Sequence, residues 1–388
     1  MNAPWPSFTD EEKDAVAGVI GSNRVNYWTG DEGRQFESEF ADWAGSNHAI
    51  ALANGTLALE LALKALEIGP GDEVIVTPRT FIASVSCVVN QGATPVFADV
   101  DPDSGNITPE SARAVLTGKT RAIVPVHLAG WPCDMPGFQS LAQEAEVVVV
   151  EDCAQAHGAT IDGRNVGSFG AVGAWSFCQD KILTTGGEGG MVTTDDPDLW
   201  SKMWSFKDHG KAFDRVFSDD HPPGFRWLHE SFGSNYRMLE VQAVIGRIQL
   251  RRLADWHERR TANARAIAGA LLDFPASVRA PIPTAGFEHA FYRLYAYVRP
   301  EGLANGWDRD RNIAELATRD VPAFEGSCSE VYLEKAFDDT PFGPAEPLPI
   351  ARELGETSLA FLTHPTLTPD AIEHTGAAIR EVFALAAR

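Results

Sequence analysis

Val147-Val148-Val149-Val150-Glu151-Asp152-Cys153-Ala154-Gln155-Ala156-His157-Gly158-Ala159 is the stretch on which the fold turns. Four successive valines predict a strand buried on both faces, as in the middle of a parallel sheet. The strand ends in two carboxylates, Glu151 and Asp152, and open α/β sheets bind their ligands beyond the carboxyl ends of the strands. Farther on, strand-like Ala174-Trp175-Ser176-Phe177 runs through Cys178-Gln179-Asp180 into Lys181, and Gly186-Gly187-Glu188-Gly189-Gly190 follows. An acid and a lone lysine, each just past a buried strand, point to a cofactor held between them.

Working outward, strand and helix signals alternate. Strands are expected over 49–52, 73–76, 95–100 and 121–126, with helices over 56–67, 82–90, 109–116 and 136–144 between them. This alternation predicts an α/β fold with a mostly parallel central sheet flanked by helices. The 56–67 helix turns Leu57, Ala58, Leu61, Ala62 and Ala65 inward and pairs Glu60 with Lys64 outside. Gly55 and Thr56 follow a strand and open that helix, so their N–H groups and the Thr56 hydroxyl read either as a phosphate site or as an ordinary capped turn.

Thr9 or Asp10 caps a first helix running to about Gly21. The segment 207–229 reads as a long polar and aromatic loop, functional or at an interface. A helix over 238–253 carries Leu239, Ala243, Gly246, Leu250 and Leu253 on one stripe and is expected to be buried in a core or between subunits. A charged helix over 256–272 follows, then a mixed region with a strand over 292–298, a helix over 309–318 and a terminal helix. The expected division is an N-terminal helix (1–24) packing with the small domain, a large domain over 25–255, and a smaller C-terminal α+β domain over 256–388.

The chain has 388 residues, enough for two lobes, with 44% hydrophobic residues and 22% charged ones. Acids outnumber bases 54 to 32, a formal charge of −22. That balance argues against nucleic acid or an anionic membrane as partner, because both require basic patches. The five cysteines lack any C-x-x-C spacing and read as reduced thiols without a metal. No apolar run approaches the ~20 residues of a membrane span. The first residues lack the pattern of a signal peptide, so a cytoplasmic location is expected.

The motifs E-D-x-A-Q-x-x-G-A (151–159), S-F-x-x-x-K (176–181) and G-E-G-G (187–190), in this order and spacing, resemble the sugar aminotransferases of the DegT/DnrJ/EryC1/StrS group. These are pyridoxal 5′-phosphate (PLP) enzymes of fold type I. The resemblance extends from Tyr27-Trp28-Thr29-Gly30 to His364-Pro365. It implies that Lys181 forms the Schiff base with PLP and then moves a proton, a role that needs an amine of lowered pKa. It assigns Asp152 to the pyridinium nitrogen, Gln155 to the 3-oxygen side of the ring, and Phe81 to stacking on the ring. Gly55, Thr56 and Ser176 would receive the phosphate, joined by Asn235 of a second subunit, which implies a homodimer with shared sites. His157 reads equally as a hydrogen-bonded structural histidine or a catalytic one, and Glu188 as structural or functional.

The same resemblance implies transfer of an amino group from L-glutamate, through pyridoxamine 5′-phosphate, to a nucleoside-diphosphate keto sugar. A 4-keto-6-deoxyhexose is the typical acceptor and a 3-keto sugar the variant. Tyr27, Trp28, His209, Lys211 and Arg226 are candidates for substrate contact. Lys207, His209, Lys211 and Arg226 read equally as diphosphate ligands and as solvated charge. Cys178-Gln179-Asp180 and Glu325-Gly326-Ser327-Cys328 depart from the family's usual residues at points beside the amine and the substrate. Three other readings remain: a PLP-dependent sugar dehydratase, a cyclitol aminotransferase and a non-catalytic PLP-fold sensor or scaffold. Relatives that act as dehydratases replace the lysine with histidine, so Lys181 argues against the first.

Overall fold

A computed structural model describes residues 4–217 and 226–388. Its centre is a seven-stranded sheet of β1 (His48–Leu52), β2 (Glu73–Val76), β3 (Thr94–Phe97), β4 (Thr120–Val124), β5 (Val148–Asp152), β6 (Val172–Ser176) and β7 (Gly190–Thr194). The spatial order is β1-β7-β6-β5-β4-β2-β3, parallel throughout except for β7, which runs antiparallel to both β1 and β6. The valine run lies at the middle, with β4 and β6 on either side.

Side chains alternate across the pleat, so each strand feeds two cores. Val74, Val76, Val124 and Val150 pack on one face, against α3 (Gly55–Ala65), α4 (Ala83–Asn90) and α7 (Pro197–Lys207). Ile75, Ile123 and Val149 pack on the other face with α5 (Pro109–Ala114) and α6 (Met135–Ala145). On that face Ala51, Trp175 and Met191 meet α2 (Glu32–Ala44) and α8 (Glu240–Leu250). A separate apolar cluster is built wholly from residues 264–386. It joins α9 (Leu253–Leu271), α10 (Arg309–Ala317) and α11 (Pro369–Ala386) to an antiparallel sheet. That sheet is ordered β8 (Val278–Arg279), β9 (Arg293–Val298), β11 (Ser358–Leu362), β10 (Ala323–Phe324). No described helix is long and apolar enough to cross a membrane.

Several local expectations change. The first helix, α1 (Asp10–Ser22), packs against α8 rather than on the C-terminal region. The segment before it reaches that region: Pro4 accepts a bond from Thr366, and Trp5 stacks near His364. Glu60 bonds Asn90 and Lys64 lies over the Phe206 ring, so the two do not face one another as a pair. Leu57 is only partly buried, while Leu59 and Leu63 join the core. On the stripe of α8, Leu239 precedes the helix and is exposed, whereas Ala243, Gly246 and Leu250 are buried. Lys207 ends α7 instead of opening a loop, and the described part of 207–229 contains a helical turn, Phe213–Phe217. Residues 218–225 of the expected loop lie outside the described residues.

Candidate active site

The carboxyl ends of β5 and β6 and the N-terminus of α3 open onto one cavity of about 1080 Å³. Gly55, Thr56, Phe81, Asp152, Gln155, Ser176 and Lys181 all line it. Strand alternation separates the two acids at the end of β5. Asp152 faces the cavity; Glu151 faces the opposite core, where its carboxylate accepts bonds from the Gly167, Phe169 and Gly170 amides and meets His127 Nε2 at 3.1 Å. The amide of Cys133 donates to His127 Nδ1, which leaves the ring proton on Nε2 for Glu151. Glu151 is therefore a structural acid, contrary to the expectation that both acids lie at the ligand end.

Asp152 accepts bonds from the Ser84 hydroxyl at 2.7 Å and the Ala154 amide at 3.1 Å, and Thr80 bonds Ser84 behind it. Burial pushes the Asp152 carboxyl above its ordinary value, opposed by those bonds and by the charge of Lys181. A cationic N–H in the cavity would offset that burial. Gln155 accepts the Ala129 amide at 2.6 Å through its Oε1, leaving its NH2 as the end available to the cavity. Ala129 holds φ 56° to make this approach. Phe81 is 69% exposed. A large aromatic so exposed at a cavity wall is a free stacking face rather than core.

The phosphate cradle depends on a close approach. Asn54 caps α3 by accepting the Leu57 amide, and the Gly55 and Thr56 amides stand in the first turn, where no intrahelical partner exists. A Cβ on Gly55 would lie 2.5 Å from Ser176 Cβ, so only glycine lets the helix start meet the end of β6. Two amides and two hydroxyls converge there without a cation, a set suited to a phosphate at a helix N-terminus.

Lys181 lies beyond β6 with its Nζ 5.2 Å from the Tyr292 ring centre. Trp5 Nε1 donates to the Lys181 carbonyl at 2.9 Å, and the Lys181 amide bonds Cys178. Next to it, Asp180 accepts the Tyr292 hydroxyl. Burial works to raise the Asp180 carboxyl, yet the charge of Lys181, the Tyr292 bond and the charge of Arg293 hold it below its ordinary value. His157 sits beside the cavity floor, between the Trp175 and Phe177 rings at 5.2 and 5.6 Å. Neither of its ring nitrogens meets a partner among the described residues. Burial, reinforced by the charges of Lys181 and Arg260, lowers its pKa to about 3, so it packs as a neutral ring without the hydrogen bonds expected of a structural histidine.

Glu188, of the glycine-rich turn, also lines this cavity, whereas the remaining candidates do not. Tyr27 is buried, bonding Glu37 and receiving the Trp204 N–H. Trp28 lies beside it, with Lys211 Nζ 4.3 Å over its ring. Lys211 also bonds Asp208. Lys207 is fully buried 3.7 Å from Glu37, which removes it from any surface role. His209, Arg226 and Asn235 are exposed on the polypeptide surface. Asp180, placed beside the amine by the sequence, lines the cavity, as do Tyr292 and Arg293, which the sequence did not single out; Thr80 and Ser84, which back Asp152, were likewise missed.

A family model described as the DegT/DnrJ/EryC1/StrS aminotransferase family matches residues 6–380. A UDP-N-acetyl-3-dehydro-alpha-D-glucosamine 3-aminotransferase of Acidithiobacillus ferrooxidans is 37% identical over 99% of this chain and 96% of its own. GDP-perosamine synthase of Caulobacter vibrioides is 36% identical over 97% of each chain. Among solved structures, an aminotransferase from Psychrobacter cryohalolentis superposes with a TM-score of 0.97 at 62% identity, covering 99% of both chains. The chain belongs to the DegT/DnrJ/EryC1/StrS aminotransferase family.

Proposed function

We propose that the protein is a PLP-dependent aminotransferase moving the amino group of L-glutamate to the keto group of a sugar carried on a nucleoside diphosphate. The observation that carries this reading is the convergence of Asp152, Lys181, the α3 N-terminus and exposed Phe81 on one cavity. Full-length similarity to two enzymes named for nucleotide-sugar chemistry supports the substrate class. PLP, when bound, supplies an electron sink for breaking bonds at the amine-bearing carbon. The residues fit it: the cradle at Gly55, Thr56 and Ser176 suits a phosphate, and Asp152 suits a protonated ring nitrogen. Phe81 would offer its face to the ring and Gln155 an N–H to the ring oxygen.

Within that frame Lys181 would hold the cofactor and, once the donor amine is bound, would hold and move the proton at its Nζ. Asp152 would face the ring nitrogen and hold its proton, the burial that raises this carboxyl being offset by a cation opposite. Asn235 is exposed and absent from its own chain's cavity, which supports a role in the site of a second copy. Trp28 reaches substrate only if that copy's cavity lies against it, and the same condition holds for His209, Lys211 and Arg226; buried Tyr27 can act only through its packing on Trp28.

The test is the absorption spectrum of the purified protein with PLP, before and after L-glutamate. A visible band from the lysine-linked cofactor that fades on adding L-glutamate is expected. A band indifferent to glutamate would overturn the donor assignment, and the absence of any band would overturn the cofactor assignment.

A further inference from the structure

We propose that Arg293 is the anchor for the carboxylate of the amino donor. This deepens the transaminase reading above and rests on it. Among the described residues lining the cavity, Lys181 and Arg293 are the two basic side chains. Lys181 is committed to the cofactor, so an anionic donor has Arg293 to meet.

The guanidinium is held for this purpose and loosely occupied. Arg293 opens β9, and its Nη1 donates to the Tyr292 carbonyl at 3.1 Å. Its Cζ lies 4.5 Å from the Tyr292 ring centre, the same ring that Lys181 Nζ approaches. Its Nη2 comes within only 4.0 Å of Asp180 Oδ2, which also accepts the Tyr292 hydroxyl. A separation of that length is an ion contact and not a hydrogen bond; a guanidinium facing a free carboxylate makes two short parallel bonds instead. Asp180 thus stands between the two cations as an internal counter-ion, where a donor carboxylate would stand.

Geometry favours the donor over the diphosphate of the sugar substrate. The carboxylate of an α-amino acid is attached to the carbon that bears the amine, so its anchor must lie beside Lys181. A diphosphate is separated from the reacting ketone by the sugar ring. Arg293 shares a tyrosine face with Lys181 and follows the neighbouring Asp180 contact, which puts it in the near position.

The experiment uses the PLP-loaded protein. Arg293→Gln is titrated with L-glutamate, followed by the fading of the visible band, and with glutarate and uridine diphosphate, followed by calorimetry. The expected result is a rise of about tenfold to a hundredfold in the glutamate and glutarate concentrations required, with uridine diphosphate within about twofold of wild type. Arg293→Lys, which keeps the charge and loses the fork, falls between the two. Asp180→Asn, which removes the internal competitor, tightens glutarate. Unchanged glutamate and glutarate binding in folded Arg293→Gln, or weakened uridine diphosphate in their place, overturns the assignment. If Arg293→Gln does not fold, the Lys and Asn variants decide: glutarate affinity unmoved by both overturns it. Wild-type protein that binds PLP but ignores glutamate would sink the underlying donor reading instead, before any variant is compared.

Discussion

Glu151 and Asp152 are adjacent acids with opposite fates, and the pleat of β5 decides between them: one side chain ties the 167–170 loop into the core, the other lines the cavity. The same economy of contact governs Gly55. Its alanine variant must place a Cβ 2.5 Å from Ser176 Cβ, and both atoms belong to regular elements that cannot step aside. We expect Gly55→Ala to cost about 1–3 kcal/mol from overpacking and to weaken PLP retention roughly tenfold, since the displaced amides are those that face the phosphate. Thermal melting and PLP titration by fluorescence check the two effects; unchanged PLP affinity would remove the cradle from this position. Lys181, Asp152 and Gln155 were legible because a single local motif carries each. Tyr292 and Arg293 were not, since they meet Asp180 from 112 and 113 residues away and no spacing rule joins them. His157 misled for a different reason: its letter implies bonding, and only packing shows a ring between Trp175 and Phe177.

At the scale of elements, the alternation of strand and helix was readable because buried β-branched runs and helical periodicity leave separate marks in the sequence. The partner of each element was harder to read. Thr9 and Glu12 form the capping box that opens α1, a local pattern. Glu12 has a second task that the pattern hides: it is buried and accepts bonds from Gln249 of α8 and from Arg252 just before α9. Lys207 was misplaced for the same reason, because a buried pairing with Glu37 cannot be distinguished from a polar loop by composition. Burial alone would raise the Glu12 carboxyl, yet its bonds from Thr9, Gln249 and Arg252 outweigh burial and hold it below its ordinary 4.5. A lowered folded pKa means a contribution present in full above pH ~4.5 and lost as pH falls through the lower folded value. Glu12→Gln should therefore lose about 1–2 kcal/mol near neutrality, with the gap to wild type closing in acid below that value. Melting temperatures of both proteins across that range check it, and a gap independent of pH would assign the loss to shape rather than charge.

For the whole molecule, the acidic balance of −22 extends into the cavity, where Asp152, Asp180, Glu188 and Glu334 stand beside Lys181 and Arg293, so an anionic ligand must be met by a placed cation and not by net charge. The surface around Asn235 adds a second whole-molecule feature. Phe232 is fully exposed and Trp227 is 81% exposed, close in sequence to a residue that does not line its own chain's cavity. Large aromatics exposed together mark surfaces that another protein covers, and a two-fold pairing would bring each copy's surface to the other's site. Only the family resemblance, and no pattern within one chain, singles out such a residue, because the target it implies would lie on a second copy. Shared sites make a specific prediction. Lys181→Ala and Asn235→Ala should each be nearly inactive as homodimers, the first retaining PLP without a covalent link. Mixed at equal amounts and allowed to exchange, half of the dimers combine the two, and each mixed dimer owns one site with both Lys181 and Asn235 intact. Activity should then return to roughly a quarter of wild type. Glutamate-dependent fading of the visible band in the mixture measures this directly. No recovery in a mixture shown by mass spectrometry to contain the mixed dimer would mean that Asn235 serves its own chain or none.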